Sequence, residues 1–171
     1  MKENKLVALS VDYRILPKKE KAFWLPKLFD ILYANMSRIA PEEGSYAQQK
    51  VQWLSQVSPA LDKDPRQVLM CLEAGEPVGY IQYYTRGTLL MVEEVQIARD
   101  YQRTTVFFGL CRRLRKSLPP EIQVIEAYAD RRNGASIALM GRLGMLPVEE
   151  GSDGKFLHFR GEPPGCRLYK S

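Results

Sequence analysis

Hydrophobic and polar positions alternate along this chain with two different periods, and the change from one to the other marks out its elements. Residues 7–15 read as a first strand. Residues 20–37 then carry Phe23, Trp24, Leu28, Ile31 and Leu32 at the spacing of one helix face, with Pro26 marking or kinking the opening turns. A second helical stretch covers 46–57 and is predicted to stop before the Ser58-Pro59 break. From residue 67 the pattern becomes that of strands. Runs at 67–72 and 78–84 flank a turn from Glu73 to Pro77, so the pair reads as a hairpin. The strand at 88–97 follows directly, and its long apolar run predicts a central position covered on both faces. Phe107, Leu110, Cys111, Leu114 and Leu118 then keep helical spacing over 106–118, until Pro119-Pro120 stops the helix. A strand at 122–128, a helix at 133–143 closed by Gly144, and short strands near 145–148 and 155–159 complete the series. This order predicts an α/β (α+β) fold, a mixed sheet with helices on both faces.

Composition narrows the function classes. The 171 residues are predicted to form one domain, 1–171, with 45% apolar residues to build its core. Charged residues, at 26%, are ordinary for a globular chain. The net charge of +5 suits an anionic ligand such as a phosphorylated cofactor, and also loose nucleic-acid binding. No recognition helix, aromatic-ribbon motif or zinc pattern supports nucleic acid as a partner. Neither an export signal nor an apolar run of membrane-spanning length stands out, so no membrane partner and a cytoplasmic setting are expected. Cys71, Cys111 and Cys166 are odd in number and widely spaced, forming no metal pattern and no disulfide framework. The lone histidine, His158, argues against a His-rich metal site or a Ser/His/Asp triad. Within Phe156-Leu157-His158-Phe159 it reads as a partly buried strand residue.

Two segments carry a resemblance. The first runs from Asn133 through Ser136, Leu139 and Met140 to Gly144-Met145. Physically, Asn133 is a helix N-cap and Gly144 the left-handed residue that ends the helix. The segment resembles the N-x-x-A-x-x-L-Y-x-x-x-G-F signature of GNAT acetyltransferases. Serine stands for alanine, and methionine for both tyrosine and phenylalanine. The second segment is Ile97-Ala98-Arg99-Asp100-Tyr101-Gln102-Arg103-Thr104-Thr105-Val106-Phe107. It resembles the family's Q/R-x-x-G-x-G/A loop, with Thr105 and Phe107 at the two small-residue positions. Thr105 can cap the helix with its hydroxyl or meet a phosphate. Phe107 either crowds the loop or joins the helix's core stripe, and the core stripe is expected. The resemblance is good over 78–148 and rests on element order alone over the first 75 residues.

Membership of the GNAT superfamily, with a degenerate loop, would imply a mostly antiparallel sheet of six or seven strands flanked by about four helices. It would also imply acetyl-coenzyme A as cosubstrate and a primary amine of a small molecule or peptide as acceptor. Backbone N–H groups of the loop, with the helix dipole, would then hold the pyrophosphate. The residues so placed are Ile97, Ala98, Gln102, Arg103, Thr104, Thr105, Val106, Phe107 and Asn133. Arg103 sits at the helix N-terminus itself, whereas Arg112, Arg113, Arg115 and Lys116 read as a solvated outer face. Acetyl transfer also needs a base, often a glutamate on the fourth strand. Glu93 and Glu94 sit in that strand, where an acid calls for a reason. Strict alternation groups Glu93 with Met91, Val95 and Ile97, and Glu94 with Val92 and Gln96; a bulge would change this. Glu93 is the favoured base. The family's usual acid is the tyrosine replaced here by Met140. Tyr128 is the substitute, unless the thiolate leaves unaided. Trp24, Tyr33, Tyr46 and Trp53 fall where the family binds its acceptor, and each also suits a core position. The alternative function is a catalytically impaired GNAT-fold module that holds an acyl-coenzyme A or another ligand. A homodimer stays open.

Overall fold

A computed structural model of the chain describes residues 10–63 and 65–162. The start of the predicted first strand, 7–9, and Cys166 lie outside the described residues. In chain order the elements are β1 (Val11–Ile15), α1 (Lys21–Ile39), α2 (Tyr46–Lys63), β2 (Gln67–Glu73), β3 (Glu76–Arg86) and β4 (Leu89–Ile97). They continue with α3 (Val106–Ser117), β5 (Val124–Asp130), α4 (Gly134–Arg142), β6 (Leu146–Val148) and β7 (Phe156–Gly161). The strands form one sheet in the order β1-β2-β3-β4-β5-β7-β6. Among the described strands only β4 and β5 run parallel; every other neighbouring pair is antiparallel.

The sheet separates two apolar cores, and β2 shows how one sequence serves both. Successive side chains of a strand point to opposite faces. Val68, Met70 and Leu72 therefore pack with Leu25 and Leu28 of α1 and Val57 and Leu61 of α2. Leu69 and Cys71 pack on the other face, with Leu110 and Leu114 of α3 and Met140 of α4. Burial pushes the Cys71 thiol up to about 11, so it behaves as a small apolar side chain. No helix among the described residues is long and apolar enough to cross a membrane.

Several predicted boundaries move by one or more residues; three of the shifts concern α2, the first hairpin and the start of β5. Helix α2 runs through Ser58-Pro59 to Lys63. Pro59 removes one helical hydrogen bond, but Leu61 beyond it is buried against the sheet, and Lys21 Nζ bonds the Ser58 carbonyl at 3.0 Å. Tertiary packing outweighs the local break. Pro77 lies in β3 and not in the turn. The turn is Ala74-Gly75 alone, with φ of 49° and 81°, as a two-residue hairpin requires. The strand predicted from 122 starts at Val124, and Ile122 is buried just before it.

Candidate active site

The parallel pair β4–β5 opens a cleft. Their pairing runs from Leu89 with Val124 to Val92 with Ala127 and stops there, although both strands continue. Beyond that point lies a cleft of about 1750 Å³, lined by both strands, α1, α2 and the start of α3.

A bulge sets the chemistry of its inner end. Gln82 of β3 pairs with Glu94 and Tyr83 with Val92, which leaves Glu93 as the extra residue. The predicted alternation is therefore broken. Leu90 and Val92 face the α3 side, and so do Val95 and Ile97. Glu93 and Glu94 both meet side chains of the opposite face. The Arg66 guanidinium clamps Glu93 through Nε and through Nη2, the latter at 2.6 Å, and Gln82 Nε2 donates to it at 3.0 Å. Among the described residues, Glu94 has no such cation. It accepts from the buried Tyr80 hydroxyl and bonds the Trp53 side chain. Burial, with Glu93 adding to it, pushes the Glu94 carboxyl up to about 7.

The outer end is the loop into α3. Ala98 N–H donates to the Val78 carbonyl at 2.9 Å, closing β4. Asn35 of α1 donates from Nδ2 to Gln96 Oε1 at 3.0 Å and to the Ile97 carbonyl at 2.9 Å. Gln102 Nε2 donates to that same carbonyl at 3.1 Å and to Asn35 Oδ1 at 3.2 Å. Arg103 has φ 65°, the left-handed conformation that glycine usually supplies. Thr105 occupies the N-cap position of α3 but its side chain makes no cap hydrogen bond, contrary to expectation. Thr104 does that work, its Oγ1 accepting from Val106 N–H at 3.3 Å. The amides of Phe107 and Phe108 follow in the first turn, where helix geometry offers them no intrahelical acceptor. The Phe107 ring is half-buried against the core that holds Leu110, Cys111 and Leu114, as its stripe predicts. Phe108, which the sequence did not single out, is 59% exposed.

The remaining candidates divide. Arg103, Arg112 and Arg115 line the cleft, whereas Arg113 and Lys116 stay outside it, so the predicted outer face is only half correct. Asn133 caps α4, accepting from Ser136 N–H at 3.1 Å, and also lines the cleft. Met140 is buried. Tyr128 lines the cleft with its ring stacked on His158, at a centroid distance of 4.6 Å. His158 is buried, with Nδ1 2.6 Å from the Glu150 carbonyl and Nε2 3.2 Å from Glu126 Oε2. Tyr33 and Trp53 line the cleft, while Trp24 is core and bonds Glu20. Tyr46 lies outside it and bonds Asp30. Arg66, Tyr80, Gln82 and Asn35 were missed. Tyr80 and Gln82 had a signal, being polar groups two apart in an apolar strand opposite two glutamates. Arg66 and Asn35 had none.

No protein-family model and no curated protein sequence matches the chain. Solved structures do. The PaiA N-acetyltransferase of Thermoplasma acidophilum, in complex with coenzyme A, is 13% identical, with 90% of this chain and 99% of that one covered and a TM-score of 0.69. An acetyltransferase of the GNAT family from Staphylococcus aureus is 10% identical over 90% of this chain and 99% of that one, at 0.68. The ribosomal-protein-S18-alanine N-acetyltransferase of Escherichia coli is 13% identical over 89% and 93%, at 0.61. With the sheet order, the splayed parallel pair and the loop at α3 alongside these likenesses, the chain has the fold of the GNAT acetyltransferases.

Proposed function

We propose that this protein transfers an acetyl group from acetyl-coenzyme A to a primary amine of a small molecule or peptide, with Glu94 as general base. The observation that carries the reading is Glu94 itself, a half-buried carboxylate without a cation among the described residues, set by the bulge at the inner end of a cleft. The shared fold supports it, since one structure of that fold holds coenzyme A. A carboxylate that ionises near neutral pH suits proton abstraction from an amine. Glu93 was the favoured base on sequence, but Arg66 already holds its charge, so the role passes to its neighbour.

The cosubstrate fits the outer end. The first-turn amides of α3 and the dipole behind them favour negative charge, and Arg103, Arg112 and Arg115 stand along the same cleft. The half-buried Phe107 ring packs on the core and leaves those amides to the cleft. In the reaction the amine nitrogen attacks the thioester carbonyl, forming the new C–N bond, and its proton passes to Glu94. The C–S bond then breaks and the sulfur leaves as thiolate. Met140 has no proton to give and the Tyr128 hydroxyl lies against Gly151, so the thiolate departs unaided, its thiol being far more acidic than an alcohol.

The test is thiol release from acetyl-coenzyme A over a panel of primary amines. Amine-dependent release supports the reading. Release no faster than the amine-free rate with every amine refutes it. Coenzyme A alone, at about a hundred times its dissociation constant, should add roughly 2.7 kcal/mol of stability.

A further inference from the structure

The acceptor half of the cleft has its own composition. Trp53 of α2 and Tyr33 of α1 stand half-buried along it, backed by the buried Phe29, whose ring centroid lies 5.7 Å and 5.9 Å from theirs. From β5 and β7 come Tyr128 and Phe156, 40% and 36% exposed. Trp53 is bonded to Glu94, so a nitrogen brought to that carboxylate lies beside an indole ring.

The charges of the cleft point the same way. Glu93 is held by Arg66, Glu42 by Lys155 at 2.7 Å, and Asp130 by Arg132 at 2.8 Å. Arg132 keeps the Asp130 carboxyl down at about 2, so that pair persists at any physiological pH. Arg103, Arg112 and Arg142 add positive charge along the cleft. Among the described residues, the one other carboxylate lining the cleft besides Glu94 is Glu43, which is exposed to solvent. A second positive charge on a ligand would therefore meet carboxylates that already hold cations, or one that water screens.

We infer that the ligand of this half-cleft is a monoamine borne on an aromatic or bulky apolar group, and not a polyamine or an aminosugar with several charges. The inference rests on the acetyl-transfer reading and deepens it by naming the acceptor class. The ring system would pack against Trp53 and Tyr33 while the nitrogen meets Glu94.

The experiment compares 2-phenylethylamine and tryptamine with spermidine and kanamycin. Each is measured twice, by kcat/KM with acetyl-coenzyme A and by calorimetric binding with and without coenzyme A. The aromatic monoamines should exceed the polycations by roughly tenfold or more in both. Trp53→Leu should erase that preference, whereas Trp53→Phe, which keeps a ring but no N–H, should retain it. If Trp53→Leu does not fold, Tyr33→Leu replaces it and should narrow the preference. Polycations that bind or react as well as the monoamines overturn the inference. Selective binding of the monoamines without thiol release would leave the ligand class standing and sink acetyl transfer. Acetylation confined to the polycations would do the reverse.

Discussion

At the inner end of the cleft the polar atoms belong to side chains that hold one another: Arg66 and Gln82 on Glu93, Tyr80 and Trp53 on Glu94. At the outer end the donors are backbone amides of a helix's first turn, and the helix's own N-cap residue makes no side-chain cap bond. The first arrangement is enclosed and holds the Glu94 carboxyl above its usual range. The second is open to solvent and offers dipole and charge to whatever anion arrives. Helix α4 shows what a closed end looks like. Asn133 caps its start, and at its finish Met145 N–H reaches the Met140 carbonyl at 3.0 Å behind Gly144, at φ 81°.

The strongest way to break this contrast is Glu94→Gln. Turnover should fall by about a hundredfold to ten-thousandfold, while coenzyme A binding at the other end is unchanged. The same variant carries a second sign. The folded carboxyl ionises at about 7, above its unfolded value, so the stability it contributes is present at low pH and lost as pH rises through 7. Glutamine cannot ionise. The variant should therefore melt above the parent protein near about pH 8, with the gap narrowing toward about pH 5. Parent activity should likewise fall as pH drops through about 7. A variant that retains full turnover would mean that the enclosed end does no proton work.

Phe107→Ala probes the outer end. The half-buried ring should cost about 1–2 kcal/mol of stability by denaturant unfolding. Coenzyme A affinity should stay within about threefold, because the amides are already open. Markedly tighter binding with unchanged stability would show that the ring had been blocking the site. The smallest effects come from a matched pair of caps. Asn133→Ala should lose about 1 kcal/mol, a cap bond that exists, whereas Thr105→Ala should change stability by less than about 0.5 kcal/mol. Equal losses would mean that α3 is as closed as α4.

These same places mark what could be read in advance. The order of elements, the caps of α4 and the loop before α3 are local, so spacing and residue type disclosed them. The bulge was not legible, because β3 and β4 choose between registers by packing on both faces. Without it Glu93 and Glu94 fall on opposite sides, and the choice of base tilts to Glu93, the one that Arg66 holds. Arg66 comes to Glu93 from the residue just before β2, a strand two places away from β4 in the sheet, and no pattern along the chain announces it. The course of α2 through Pro59 was hidden for the same reason, since burial of Leu61 outweighs what the proline removes.

The position of β7 bears on how the molecule is made. It lies between β5 and β6, and among the described residues β6 has no other partner in the sheet. As the chain leaves the ribosome, the four strands from β1 to β4 can pair in sequence, each beside its predecessor. β5 can join β4 next, but its far edge stays bare and β6 has nothing to dock on until the residues through Gly161 have been synthesised. For that interval the protein presents an open strand edge to its surroundings, the kind of surface that chaperones shield and that nascent chains use to aggregate.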